Sequence, residues 1–84
     1  MHLEEEIKVL IKEKLTDALV TTYDLTGGGD HIGVRVVSDH FVEKTLLEQH
    51  KIVMSILKLK FNENLHAIKL KTMTFEKYNN QEKK

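Results

Sequence analysis

The chain has no cysteine. Disulfides, thiolate-built zinc sites, a redox CxxC pair and any iron-sulfur cluster held by the chain's own sulfur are therefore excluded, and nitrogen and oxygen must supply any metal chemistry. Long apolar runs are missing as well: stretches such as Ile52 to Leu57 fall far short of the roughly 20 residues a membrane-spanning helix needs. The opening Met-His-Leu-Glu-Glu-Glu is too acidic for a transit peptide and lacks the basic-then-apolar order of a secretory signal, so a cytoplasmic location is expected. Signatures of enzyme classes are absent too. There is no Walker loop, GxGxxG, GxSxG, HxxxH or HExxH, and Ser38 and Ser55 have no spaced His and Asp partners to make a nucleophile, so a non-enzymatic role is expected. Aromatic residues are scarce, with three Phe, two Tyr and no Trp.

What is present suffices for one small domain. The 84 residues, 40% hydrophobic and 31% charged, fit a globular chain and exclude disorder as the whole answer. Formal charge is zero but unevenly distributed: residues 1 to 50 carry five Lys or Arg against ten Asp or Glu, and residues 51 to 84 carry eight Lys against three Glu. The basic second half would attract phosphates, although an overall pI near 7.0 is far from that of a dedicated nucleic-acid binder.

Leu3, Ile7, Leu10, Ile11 and Leu15 recur at helical spacing, with Glu4, Glu5 and Glu6 in the first turn where negative charge complements the helix dipole, so residues 2 to 15 are expected to form an amphipathic helix. From Ala18 the pattern turns to β-branched and aromatic residues, Leu19 to Tyr23, and after Gly27-Gly28-Gly29-Asp30 it resumes with Ile32 to Val37, predicting a β-hairpin. Ser38 and Asp39 offer caps. Beyond them a helical stripe of Val42, Leu46, Leu47, Ile52, Val53, Ile56, Leu57 and Phe61 predicts one long helix, or a short one followed by a long one, over about residues 43 to 61. His66 to Met73 alternates with period two, which places Ile68, Leu70 and Thr72 on one face and Lys69, Lys71 and Met73 on the other. Thr74 caps a single further helical turn before a polar tail. The result is an α+β fold, a single two-layer domain over residues 1–79 with a tail over 80–84, in the order α-β-β-α-α-β-(α), its three-stranded sheet covered by helices on one face.

Among the five His, His31 lies where the Gly-rich hairpin enters the second strand and His66 where the exit from the long helix enters the third. Strand starts at one end of a small sheet approach each other, so the two imidazoles are candidates for one ion. The bland alternative for His66 is a semi-buried ring bonded to a backbone carbonyl. A rival class of function is nucleic-acid binding by the helix pair and Lys51, Lys58, Lys60, Lys69 and Lys71. Against it stands the aromatic inventory, since single-strand readers interleave exposed rings with basic residues, and Phe41 and Phe61 are assigned to the core.

Val34-Arg-Val-Val-Ser-Asp-His-Phe41, Leu47-Glu-Gln-His-Lys-Ile-Val53 and Leu65-His-Ala-Ile-Lys-Leu-Lys-Thr-Met-Thr-Phe-Glu-Lys-Tyr78 resemble, in order and over essentially the whole chain, the BolA family. The resemblance implies a class II KH-like fold and two activities: an adaptor or regulator role that partners a monothiol glutaredoxin through a shared 2Fe-2S cluster in iron-sulfur trafficking or iron regulation, and DNA binding as a transcriptional regulator. It places His66 at the position of the family's cluster-ligating His and offers His31 as the second ligand, while the family's earlier loop ligand falls among Thr26, Gly27 and Gly28. Gln49 stands where the family has the Arg of an Arg-His pair, Glu43 near a usual Gly, Phe75 at a usual Pro and Tyr78 at a usual Trp. The partnership is chemically coherent. A 2Fe-2S cluster needs four ligands, so a chain limited to nitrogen must take sulfur from a partner, and imidazole in place of thiolate raises the cluster's potential. The isolated chain is expected to hold no cluster and to be a monomer or weak dimer.

Overall fold

Helix α1 (Leu3–Lys14) carries Glu4, Glu5 and Glu6 in its first turn and Lys12 and Lys14 in its last, both complementary to the helix dipole, and it buries Ile7 and Ile11. The computed structural model describes residues 3–28, 31–62 and 67–82. Strands β1 (Leu19–Asp24) and β2 (Ile32–Val37) pair antiparallel, Leu19 opposite Val37 and Asp24 opposite Ile32. A 3₁₀ turn (Asp39–Phe41) follows, capped by Ser38, whose Oγ accepts from the His40 amide at 3.0 Å. Helix α2 (Leu46–Phe61) starts at a capping box: Thr45 Oγ1 accepts from the Glu48 amide and Glu48 Oε1 accepts from the Thr45 amide. The chain then returns as β3 (Ile68–Met73) and closes with α3 (Phe75–Glu82).

The sheet order is β1-β2-β3, and β3 lies parallel to β2, with Ile32 opposite Ile68 and Val37 opposite Met73. Parallel neighbours need a long crossover, and α2 provides it. Alternation then sorts the sheet into two faces. Val20, Val36 and Thr72 form one inward row and Val34 and Leu70 belong to the next, while Thr21, Arg35 and Lys71 point to the opposite side. Against the inward face lie α1 and α2, and their Ile7, Ile11, Val53, Ile56, Leu57 and Phe61 join Val20, Val34, Val36 and Phe41 in one core. Thr22 Oγ1 also donates to Glu4 Oε1 at 3.1 Å, tying the start of α1 to β1. The expected α+β architecture of helices on a three-stranded sheet is the observed one, with α1 and α2 on the inward face and α3 reaching the other.

Three details depart from the sequence pattern. The first member of the expected helix pair is only the 3₁₀ turn. Leu46 and Leu47, assigned to the buried stripe of α2, are 57% and 65% exposed, because the stripe begins one turn later at Gln49. Gln49 is buried instead, accepting from Thr72 Oγ1 at 2.7 Å and donating Nε2 to the Lys44 carbonyl at 3.0 Å, so its amide is satisfied inside. Finally, α3 runs for eight residues rather than a single turn. Its Tyr78 ring lies 5.1 Å from the Arg35 guanidinium carbon, on the side of the sheet away from α1 and α2, and Val37 and Met73 of that same side are buried. No helix among the described residues is long and apolar enough to cross a membrane.

Candidate functional site

The two parallel strands start at the same end of the sheet, and that end is where the candidate ligands converge by chain position. Ile32 and Ile68 are register partners. His31 immediately precedes the first. Ala67 precedes the second and itself follows His66 in the chain. His66 lies outside the described residues, so its side chain enters only through this connectivity. His31 is exposed, and it lines a groove of about 370 Å³ with Leu25, Thr26, Ala67, Ile68 and Lys69.

One wall of the groove is the hairpin loop, and its shape comes from Asp24. The carboxylate Oδ1 accepts from the amides of Thr26 at 3.2 Å and Gly27 at 3.0 Å, and Thr26 Oγ1 accepts from the Gly28 amide at 3.3 Å. Such side-chain-to-backbone bonds fold a polar loop without a longer ladder. Gly27 has φ +83°, the left-handed region that glycine enters without strain, and a Cβ there would meet nothing within 4 Å. It is therefore required for conformation, and the space beside it is open. Leu25 N–H donates to the His31 carbonyl at 2.9 Å, which closes the loop while leaving the imidazole outside.

The other end of β2 holds a second cluster that the sequence pattern did not expose. Ser38 Oγ donates to Asp17 Oδ1 at 2.8 Å, the Asp39 amide donates to Asp17 Oδ2 at 2.8 Å, and His40 Nδ1 lies 3.0 Å from Asp17 Oδ1. An Asp, a Ser and a His in mutual contact resemble a nucleophilic triad, but Ser38 is fully buried and its oxygen is occupied by the His40 amide and Asp17. The arrangement is a cap. Partial burial pushes the Asp17 carboxyl up, and the bonds from Asp39, Ser38 and His40 outweigh that, holding it below its usual range.

The five Lys of the nucleic-acid reading are all exposed and fall into two layers. Lys51, Lys58 and Lys60 belong to α2. Lys69 and Lys71 point to the opposite side of the sheet, with Arg35 between β1 and β3. Sequence reasoning also missed Tyr23, which shares that outward face, because strand alternation assigns faces only after the pairing register is known.

Comparison with known proteins identifies the fold's lineage. A model of the BolA-like protein family matches residues 5–77. The chain belongs to the BolA-like family. A BolA-like protein of Rickettsia prowazekii is 30% identical over 83% of this chain and 91% of its own, and its solution structure superposes with a TM-score of 0.68. A BolA homologue of Coxiella burnetii, 28% identical over 94% of this chain and 99% of its own, reaches 0.77. Protein BOLA2 of Arabidopsis thaliana is 33% identical over 84% of this chain and 76% of its own. The BolA resemblance read from the sequence is thus the family itself.

As to whether the groove suits the cluster implied by this family, its described donor is one exposed imidazole, flanked by apolar Leu25, Ala67 and Ile68 and by the cation Lys69. No three His, Asp or Glu side chains stand together as a cage among the described residues. Such a site fits a cluster that arrives with its thiolates on another molecule, and Lys69 suits the negative charge those thiolates carry.

Proposed function

We propose that this BolA-like chain is a non-enzymatic adaptor that docks on a monothiol glutaredoxin and contributes nitrogen ligands, His66 and His31, to a shared 2Fe-2S cluster. The observation that carries the reading is the parallel register of β2 and β3, which opens both strands at one end, with His31 leading into Ile32 and His66 separated from Ile68 only by Ala67. The shared cluster supplies the redox-active irons, and the partner with its glutathione supplies the sulfur. This chain's residues do the rest. His31 presents an imidazole that no described side chain holds, the Asp24-folded loop forms one wall of the groove, and Leu25 and Ile68 give it apolar sides.

The test is a titration of cluster-loaded glutaredoxin followed by visible circular dichroism, with far-UV spectra to confirm folding. Wild type should produce a mixed-complex spectrum, and His66→Ala should lose it, the glutaredoxin returning to its own cluster-bridged dimer. His31→Ala should act in the same direction more weakly. His40→Ala is the control, since its imidazole sits beside Asp17 and Ser38 at the far end of β2, roughly 20 Å away at about 3.3 Å per residue. A folded His66→Ala protein with the wild-type mixed spectrum would overturn the ligand assignment.

A further inference from the structure

Val9 departs from the amphipathic pattern of α1. Ile7 and Ile11 are buried and Leu3 and Leu10 pack partly against the core, but Val9 is 55% exposed. It lies in a groove of about 230 Å³ between α1 and the last turn of α2, lined by Glu5, Glu6, Val9, Leu10, Glu13 and Lys60. Val9 and Leu10 form the apolar floor. That volume is below the roughly 300–1,000 Å³ of a small-molecule pocket, so the groove suits a pair of aliphatic side chains rather than a ligand enclosed whole.

The rim is charged and unbalanced. Glu5 is paired with Lys8 at 3.6 Å, whereas Glu6 and Glu13 are exposed and belong to no salt bridge among the described residues. Three Glu against one Lys leave the lining with two negative charges in excess. Two copies of such a surface repel each other, and a phosphate backbone or an anionic lipid is repelled in the same way, so the rim selects a cationic partner. The face is also rigid, since Ile7 and Ile11 anchor the same helix in the core and Glu4 accepts from Thr22 Oγ1, so docking orders little of this chain.

We propose that this groove docks a basic amphipathic helix of a partner protein, two of its aliphatic side chains seated on Val9 and Leu10 and two of its cations on Glu6 and Glu13. Glu6 and Glu13 are two helical turns apart on α1, about 10 Å at about 1.5 Å per residue, with Val9 and Leu10 between them. A helix laid along α1 matches this spacing with a cation at each end of a heptad and apolar residues three and four positions in from the first. Apolar seams with flanking opposite charges pair helices in the same way. The site shares no residue with the groove that holds His31, so the two are tested separately.

The test is fluorescence anisotropy of a labelled, alanine-based helical peptide with two Lys seven residues apart and a Leu pair between them, in 50 mM and 200 mM salt. Wild type should bind it with a Kd below 1 mM at the lower salt and severalfold more weakly at the higher, because exposed ion pairs are screened. A peptide with Glu in place of the two Lys should bind about tenfold more weakly or worse, a comparison that needs no variant and so holds whatever a substitution does to folding. Glu6→Lys/Glu13→Lys should weaken binding of the Lys peptide about tenfold or more and bind the Glu peptide better than wild type does. Val9→Ser should weaken the Lys peptide about fivefold. Glu43→Lys/Glu76→Lys, the same change of charge at exposed positions outside the groove, should matter less than twofold, with far-UV spectra confirming each fold. The proposal is overturned if the Lys peptide does not bind below 1 mM at 50 mM salt, if the two peptides bind equally, if the Glu43 and Glu76 pair matters as much as Glu6 and Glu13, or if Val9→Ser has no effect. Sedimentation of wild type as a dimer that Glu6→Lys/Glu13→Lys dissolves would likewise overturn it and give the groove to a second copy.

Discussion

Strand β2 leads from Val37 into Ser38, where five hydrogen bonds and contacts also hold Asp17, Asp39, His40 and Met73, whereas at its start His31 is exposed beside the hairpin loop. Thr72 and Gln49 add a buried polar pair near the closed end. At the groove end the bonds are exposed and local to the hairpin, from Asp24 to the amides of Thr26 and Gly27, from Thr26 to Gly28 and from Leu25 to the His31 carbonyl. The buried cap lies where the chain reverses between β2 and α2 and the exposed groove at the opposite end, so stability is expected to be greater at the first, with exposed loop groups carried on a rigid scaffold at the second.

The largest effect should come from the closed end. Phe41, fully buried at the close of the 3₁₀ turn, should cost about 3–5 kcal/mol when cut to Ala, measured by urea unfolding. A loss below about 1 kcal/mol would show that this end is not the stable one.

Next stands Gln49. Gln49→Leu strands the Thr72 hydroxyl in a buried site and should cost about 2 kcal/mol. Adding Thr72→Val removes the stranded donor, so the double variant should recover much of that loss. Additive costs from the two substitutions would mean that the pair does not act as one unit.

Asp17→Asn should cost about 1 kcal/mol at neutral pH, modest because the carboxyl is partly exposed. Its sign with pH follows from the lowered pKa. A carboxyl held below its unfolded value, near 3.8, contributes stability that is present above that value and is lost as pH falls through the folded one. The difference between wild type and Asp17→Asn should therefore be full at pH 6 and vanish in the acid limb. A difference that grew on acidification would refute the assignment.

Much of this arrangement was legible beforehand. The hairpin and β3 follow from period-two runs of β-branched residues, and both long helices from their apolar spacing, since these patterns have one burial solution each. Other features were not. The parallel pairing of β3 depends on where α2 carries the chain, and the buried Gln49 depends on Thr72, a residue 23 positions away. Helix α2 starts at Leu46 because of the Thr45–Glu48 capping box, a T-x-x-E signal the sequence carries. At the site, His31 could be placed from the hairpin alone, while Lys69 and Tyr23 required the register. Glu43 has a φ of +66°, the left-handed region that glycine enters without strain and a side chain does not. Glu43→Gly should accordingly stabilise the fold, by about 0.5 kcal/mol after the added chain entropy is set against the relieved strain. A loss of stability would show that the Glu43 side chain contributes contacts of its own.

His31→Ala should have the smallest effect on folding, under about 0.5 kcal/mol, because the imidazole is exposed and no described side chain bonds it. The neighbouring backbone bond from Leu25 N–H to the residue 31 carbonyl does not depend on the side chain and should survive. This substitution separates the two ends most cleanly. At the closed end a change in stability and a change in any function would arrive together, since His40, Ser38 and Asp17 share one set of bonds. At the open end they should part: unfolding midpoints equal to wild type within error, and a weakened mixed-complex spectrum with cluster-loaded glutaredoxin. If His31→Ala instead lowers stability by 1 kcal/mol or more, the imidazole braces the loop, and the groove end is held by contacts as specific as those around Ser38.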